Sequence, residues 1–144
     1  MATNLIYNGN DELNRSRVVP VGTKSGDPVV QGGVRPGVAI TSRGDATATE
    51  AIDANGWSVT YPNGGFNNAS DEATIAFDGT YEFAVTGGLV TTPNETAVYA
   101  VVSDGVVTSL TLTAGSNVLF GHVDYPNDYY KRAGILPVRI GAAL

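Results

Sequence analysis

Residues Thr74–Thr86 read TIAFDGTYEFAVT. The odd positions are Ile75, Phe77, Gly79, Tyr81, Phe83 and Val85; the even ones are Thr74, Ala76, Asp78, Thr80, Glu82, Ala84 and Thr86. Apolar and small side chains keep to one parity and mostly polar or small ones to the other. That is the period-2 pattern of a strand with one buried face. Phe77, Tyr81 and Val85 also fit a helical spacing, but Gly79 and the β-branched and aromatic residues favour a strand. Asp78-Gly79 in the middle predicts a bulge or a tight hairpin turn. The stretch is expected to be the central strand of the fold, with Phe83 in the core.

Downstream, Gly87-Gly88 turns the chain into Leu89–Thr92, which stops at Pro93-Asn94. Ala97–Val102, AVYAVV, is continuously apolar and reads as a strand covered on both faces. Ser103-Asp104-Gly105 is a hairpin signal leading into Val106–Thr113, where Val106, Thr108, Leu110 and Leu112 share a parity. A further strand follows at Val118–Val123. After the polar-aromatic loop Asp124–Arg132, Ile135–Ile140 closes the chain, with Pro137 confining that strand to an edge or a strand start.

Upstream, Val18–Val21 is a short strand broken by Pro20, and Gly26 and Pro28 form a turn feeding Val29-Val30. Val38–Ile40 follows. Between Arg43 and Ala54 the chain becomes polar and small, with a short helix expected around Glu50-Ala51-Ile52. Asp53–Asp71 carries Trp57, Tyr61 and Phe66 among Asn and Gly, and reads as an inserted hairpin. Its rings either pack over the body or serve a partner. Met1–Arg17 is polar with few apolar groups. It reads as an extended arm whose Leu5, Ile6 and Tyr7 add a strand to a neighbour's sheet edge, or else as a frayed terminus. The sum is about eight to ten short strands with a turn roughly every eight to twelve residues. The expected fold is all-β, a small antiparallel sandwich or barrel over 18–144, with an N-terminal arm at 1–17 and an insertion near 53–71.

The chain has 144 residues, enough for one domain with a core of its own. It has no cysteine, so disulfides, thiolate metal sites and a cysteine nucleophile are excluded. Eight Lys and Arg against fourteen Asp and Glu give a formal charge of −6, which argues against nucleic-acid or anionic-membrane partners. Neither a signal peptide nor a membrane-spanning run is expected. A charged fraction of only 15% suits a surface that spends its life covered by partners.

Catalytic signals are weak. His122 is the single histidine and sits in an apolar run, with no Gly-x-Ser-x-Gly elbow elsewhere to supply a nucleophile. Asp124, Asn127 and Asp128 crowd one loop, but the remaining oxygen ligands and the glycine of a calcium loop are missing. Asp71, Glu72, Asp78 and Glu82 are close in sequence and read as solvated acids at strand ends. Asn68-Ala69-Ser70 and Asn94-Glu95-Thr96 match the glycosylation sequon. The expectation is no enzyme, no metal and no cofactor.

One order of short motifs remains: Ser25-Gly26-Asp27-Pro28-Val29, Gly37-Val38-Ala39, Gly79-Thr80-Tyr81-Glu82-Phe83, Val98-Tyr99, Gly121 and Val138-Arg139-Ile140. It resembles the small capsid cement or decoration proteins of tailed phages over roughly Lys24–Ile140. Thr96-Ala97 stands where that pattern has Gly-Asp, and Asp53–Asp71 is extra. The resemblance implies a β-tulip-like domain on the outer surface of a virion head, made in the host cytoplasm. It implies a homotrimer that clamps the major capsid protein and catalyses nothing. Read from the residues themselves, outside the reach of the resemblance, Leu5, Ile6 and Tyr7 of the arm are the expected capsid contacts, with Trp57, Tyr61, Phe66, Tyr129 and Tyr130 as loop contacts. The alternative is a glycan- or receptor-binding module, in which those rings together with Tyr125 form a sugar-stacking platform.

Overall fold

A computed structural model describes residues 4–8, 14–49, 60–62 and 68–140. The strands are β1 (Leu5–Asn8), β2 (Arg15–Val18), β3 (Pro28–Gln31), β4 (Arg35–Ala39), β5 (Thr47–Thr49) and β6 (Thr60–Pro62), then β7 (Glu72–Ala76), β8 (Gly79–Thr86), β9 (Ala97–Ser103), β10 (Val106–Thr111), β11 (Val118–Val123) and β12 (Ile135–Ile140). Among the described residues every regular element is a strand.

Thr74–Thr86, expected to be one central strand, is two. β7 and β8 belong to different sheets and do not pair with each other. Between them the chain turns a corner at Phe77-Asp78. The Asp78 carboxylate accepts the Gly79 N–H at 2.8 Å, and Gly79 has φ 110°, a conformation that costs an L side chain dearly. The parity survives the corner, since Ala73, Ile75, Phe77, Tyr81, Phe83 and Val85 are all buried. Ala76 faces one core cluster and Phe77 the other.

β8 organises the larger sheet. Along one edge β12 pairs with Gly79–Ala84. On the other edge β1 lies antiparallel to Gly79–Tyr81, and β10 joins in parallel at Val85 and Thr86. The cycle β8–β10–β9–β11–β12 closes a five-stranded barrel, small enough for side chains to fill. Tyr81, Phe83, Leu110, Phe120, Leu136 and Ile140 are part of that filling, with the Phe83 and Phe120 rings edge to face at 5.5 Å. The second sheet, β2-β7-β4-β3, is antiparallel throughout and sends Val30, Val38 and Ala76 into the barrel cluster. A further cluster gathers Val19, Val29, Ala39, Ala73, Ile75 and Phe77, and the Arg35 guanidinium lies 3.9 Å over the Phe77 ring. β5 and β6 form a separate antiparallel ribbon.

Several expectations need correction. The arm at 1–17 contains two strands of the chain's own sheets: β1 on β8, and β2 on β7 from Arg15↔Ile75 to Val18↔Glu72. Leu5 packs against the barrel core, so one well-placed aliphatic ties down a segment that reads as too polar to pack. Pro137 sits in a strand paired on both sides. It is tolerated because its partner Glu82 turns its own N–H toward Asn4, leaving Glu82–Pro137 a pair that exchanges no bonds, while the β11 ladder begins only at Val138. Ala97–Val102 is fully buried only at Val98 and Ala100. The Asp104-Gly105 hairpin is present, with φ 50° and 78°, but a bulge between Val107 and Ser109 breaks the parity and leaves Val106 exposed. Thr47–Thr49 is a strand where a polar stretch with a helix is expected; Glu50-Ala51-Ile52 lies outside the described residues.

Candidate functional site

β10 parts from β8 upstream of the Leu110↔Val85 pair, and from there, among the described residues, its Val106–Ser109 stretch pairs with β9 alone. β3 is the outer strand of the four-stranded sheet. These two unfinished edges border a groove of about 1110 Å³, lined by residues 18–23, 27–33, 83–86, 104–110 and Gly134. A sheet edge carries backbone donors and acceptors in the spacing that another extended chain can match. The aliphatic lining includes Val29, Val30, Val85, Val107 and Leu110; its charged members are Asp27 and Asp104. The Asp27 carboxylate is already engaged by the Lys24 backbone N–H at 2.8 Å. Among the described residues the lining holds no histidine and no cation.

One lip of the groove is unusually apolar. Val18, Val21 and Val34 are 61%, 83% and 75% exposed. Val18 and Val21 line the groove, and Gln31 joins the end of β2 to the β3–β4 turn: its side-chain amide donates to the Val18 carbonyl at 3.2 Å and its own carbonyl accepts from Val34 N–H at 3.2 Å. The exposed valines on the two segments so joined are the ridge. Sequence reading passes over this ridge, because isolated valines beside Pro20 and Gly32-Gly33 look like ordinary turn neighbours.

Asn4 is bonded to Gly26 and Glu82, the chain neighbours of the groove residues Asp27 and Phe83. Its Nδ2 donates to the Glu82 carbonyl at 2.9 Å and to the Gly26 carbonyl at 3.2 Å, and its own carbonyl accepts the Glu82 N–H at 2.9 Å. Leu5 and Ile6 are half-buried and Tyr7 pairs through its backbone with Thr80, so the backbone of the expected arm is engaged by the chain's own barrel; the Tyr7 side chain lies outside the described residues.

The Asp124–Arg132 loop is pinned by its aromatics. Tyr125 donates its hydroxyl to the Thr92 carbonyl at 2.8 Å, its N–H goes to Asn94 at 2.7 Å, and Lys131 covers its ring face at 4.3 Å. Tyr129 donates to one Glu82 oxygen at 2.9 Å and Arg132 to the other at 2.8 Å. Partial burial, followed by the hydrogen bond to Glu82, holds the Tyr129 hydroxyl above its ordinary pKa; burial alone does so for Tyr125. Tyr130 is the exposed ring, at 82%. The structure therefore brings Tyr125 and Tyr129 together, ring centroids 5.7 Å apart, but spends their polar ends internally. Trp57 and Phe66 lie outside the described residues, as does the Tyr61 side chain.

The acids are engaged locally as well: Glu72 accepts from Ala69 N–H, Asp78 from Gly79 N–H, and Asp124 lies 3.4 Å from the Thr80 hydroxyl. Among the described residues no three His, Asp or Glu side chains come together as a metal site. His122 is half-buried on β11, opposite Arg139 of β12 and Ala97 of β9. No helix among the described residues is long and apolar enough to cross a membrane. The chain is thus an all-β protein built on a closed five-stranded barrel with a second sheet beside it. Comparison with protein-family models, with curated proteins and with solved structures finds no match to it.

Proposed function

We propose that the chain is a structural virion protein: a decoration protein that binds the outside of an expanded phage head, with the major capsid protein as partner and a homotrimer as its working form. Two things support this reading. The first is the order of short motifs from Ser25 to Ile140, which resembles that of phage cement proteins. The second, which carries it, is the aliphatic ridge of Val18, Val21 and Val34 on a chain of few charges. Contiguous exposed aliphatic surface is costly to leave wet and marks a surface meant to be covered. Because β1 and β2 belong to the chain's own sheets, the capsid contact is assigned to this ridge and not to a free arm.

A single such contact is weak. Three copies on one trimer, facing repeated sites on a lattice, gain from effective concentration and bind only where the lattice offers the right spacing. A ligand that prefers the expanded head stabilises it by mass action. The test is co-sedimentation of the purified chain with expanded and unexpanded heads of its own phage, with light scattering to count subunits. Binding to expanded heads that persists at high salt is expected, since the contact is apolar. A Val21→Asp, Val34→Asp double variant that stays folded should no longer bind. Equal binding by that variant, or no binding by the unaltered chain, would sink the reading.

A further inference from the structure

The Asp124–Arg132 loop divides its side chains into two sets. Tyr125, Tyr129, Lys131 and Arg132 hold the loop in place, through the Thr92 carbonyl, the two Glu82 oxygens and the Tyr125 ring. Asn127, Asp128 and Tyr130 are exposed instead, and among the described residues no hydrogen bond, ion pair or ring contact engages their side chains. The first set fixes the loop, and the second is what the loop displays. Asn127 and Asp128 are the central residues of a turn closed by the Tyr129 N–H, which donates to the Pro126 carbonyl at 3.2 Å. Asp128 there has φ 61°. A turn with left-handed backbone at its third residue takes Gly or Asn by preference, so aspartate in that place costs stability. Strain that a well-bonded frame holds in place points to a site, not to a mere connector.

The three displayed groups match the chemistry of a sugar. A tyrosine ring has an electron-rich face that attracts the polarised C–H groups on one side of a pyranose. The Asp128 carboxylate accepts hydrogen bonds, and the Asn127 amide both donates and accepts, as adjacent hydroxyls require. Lys131 is held over Tyr125 and Arg132 on Glu82, which leaves Asp128 to set the sign of the tip and to repel an acidic sugar. A protein hot spot would need apolar neighbours to shut water out around the ring, and this turn supplies an amide and a carboxylate. We propose that the loop tip is a binding site for a neutral saccharide, with Tyr130 stacked on the ring face and Asn127 and Asp128 bonded to adjacent hydroxyls. The site shares no residue with the groove or the valine ridge, so it stands whether or not the chain coats a head.

One ring and two polar side chains bind on the order of millimolar, and repetition on an oligomer raises the avidity. The probe is a panel of methyl glycosides of neutral hexoses and N-acetylhexosamines, mixed with the full chain and read by saturation-transfer difference NMR. At least one neutral glycoside should take up saturation on its ring C–H protons. Tyr130→Ala should abolish the transfer and Tyr130→Phe should keep it, both with the circular dichroism of the parent, since the ring is exposed. Asp128→Gly should melt at a higher temperature, because glycine relieves the turn, yet bind roughly fivefold more weakly. No transfer to any neutral glycoside, transfer that persists in Tyr130→Ala, or full affinity in Asp128→Gly would each overturn the proposal. So would a preference for methyl glucuronide over the neutral panel.

Discussion

Gly121→Ala isolates the barrel seam. An added Cβ at that position would stand 2.3 Å from the Arg139 carbonyl oxygen and 2.9 Å from Val138 Cγ1. Carbon and carbonyl oxygen settle at about 3.3 Å or more, so β11 and β12 would have to part by roughly 1 Å. The obstacle is backbone, and β12 cannot retreat because β8 is paired along its other edge. Overpacking of this kind costs about 1–3 kcal/mol, and weakening one or two ladder bonds adds roughly 0.5–1.5 kcal/mol each. A loss of about 2–4 kcal/mol is therefore expected, a large share of a total stability on the order of 5–15 kcal/mol. Urea unfolding followed by far-ultraviolet circular dichroism should show the midpoint falling by roughly 1–2 M at unchanged slope. Exposed Ser116→Ala should move it little, within about 0.5 kcal/mol. A loss below about 1 kcal/mol for Gly121→Ala would mean that the seam opens freely and the barrel is not closed as described.

Phe83→Ala should cost about 3–5 kcal/mol by the same measurement, since its buried ring packs edge to face on Phe120. Deleting residues 1–17 should lower the melting temperature sharply or abolish folding, because it strips β1 and β2 from their sheets; a truncated chain as stable as the whole would contradict those pairings. The Tyr129 hydroxyl binds its proton more tightly folded than unfolded, through burial and then Glu82. Its contribution is thus fully present below the ordinary tyrosine range and is lost as pH rises through the raised value. Alkaline titration should show a late-ionising tyrosine and a parallel fall in stability, both diminished in Tyr129→Phe and untouched in Tyr130→Phe.

The strand content was legible because burial on one face writes itself as parity, and Ile75 to Val85 keeps that parity even around a corner. The corner itself was not legible. Asp78-Gly79 signals a break in the strand, but whether the chain doubles back, bulges or crosses to another sheet depends on which distant edges are free to receive it. β1 was missed for a related reason: Leu5 and Asn4 matter through a slot on β8 that exists only because β10 diverges. The candidate site was the least legible part. Val18, Val21 and Val34 are spread over seventeen positions and become one ridge only when Gln31 joins the end of β2 to the β3–β4 turn. The aromatic loop was visible as a cluster of Tyr125, Tyr129 and Tyr130, yet the sequence could not say that Glu82, more than forty residues upstream, would claim Tyr129.

β8 takes its neighbours from widely separated stretches, Leu5–Asn8 on one edge and Ile135–Ile140 on the other. The barrel cannot shut until β12 has been made, and until then β8 and β11 each present a bare edge where β12 will lie. Closure of such distant pairs spends loop entropy before any contact repays it, which places folding in the millisecond-to-second range typical of non-local β topologies.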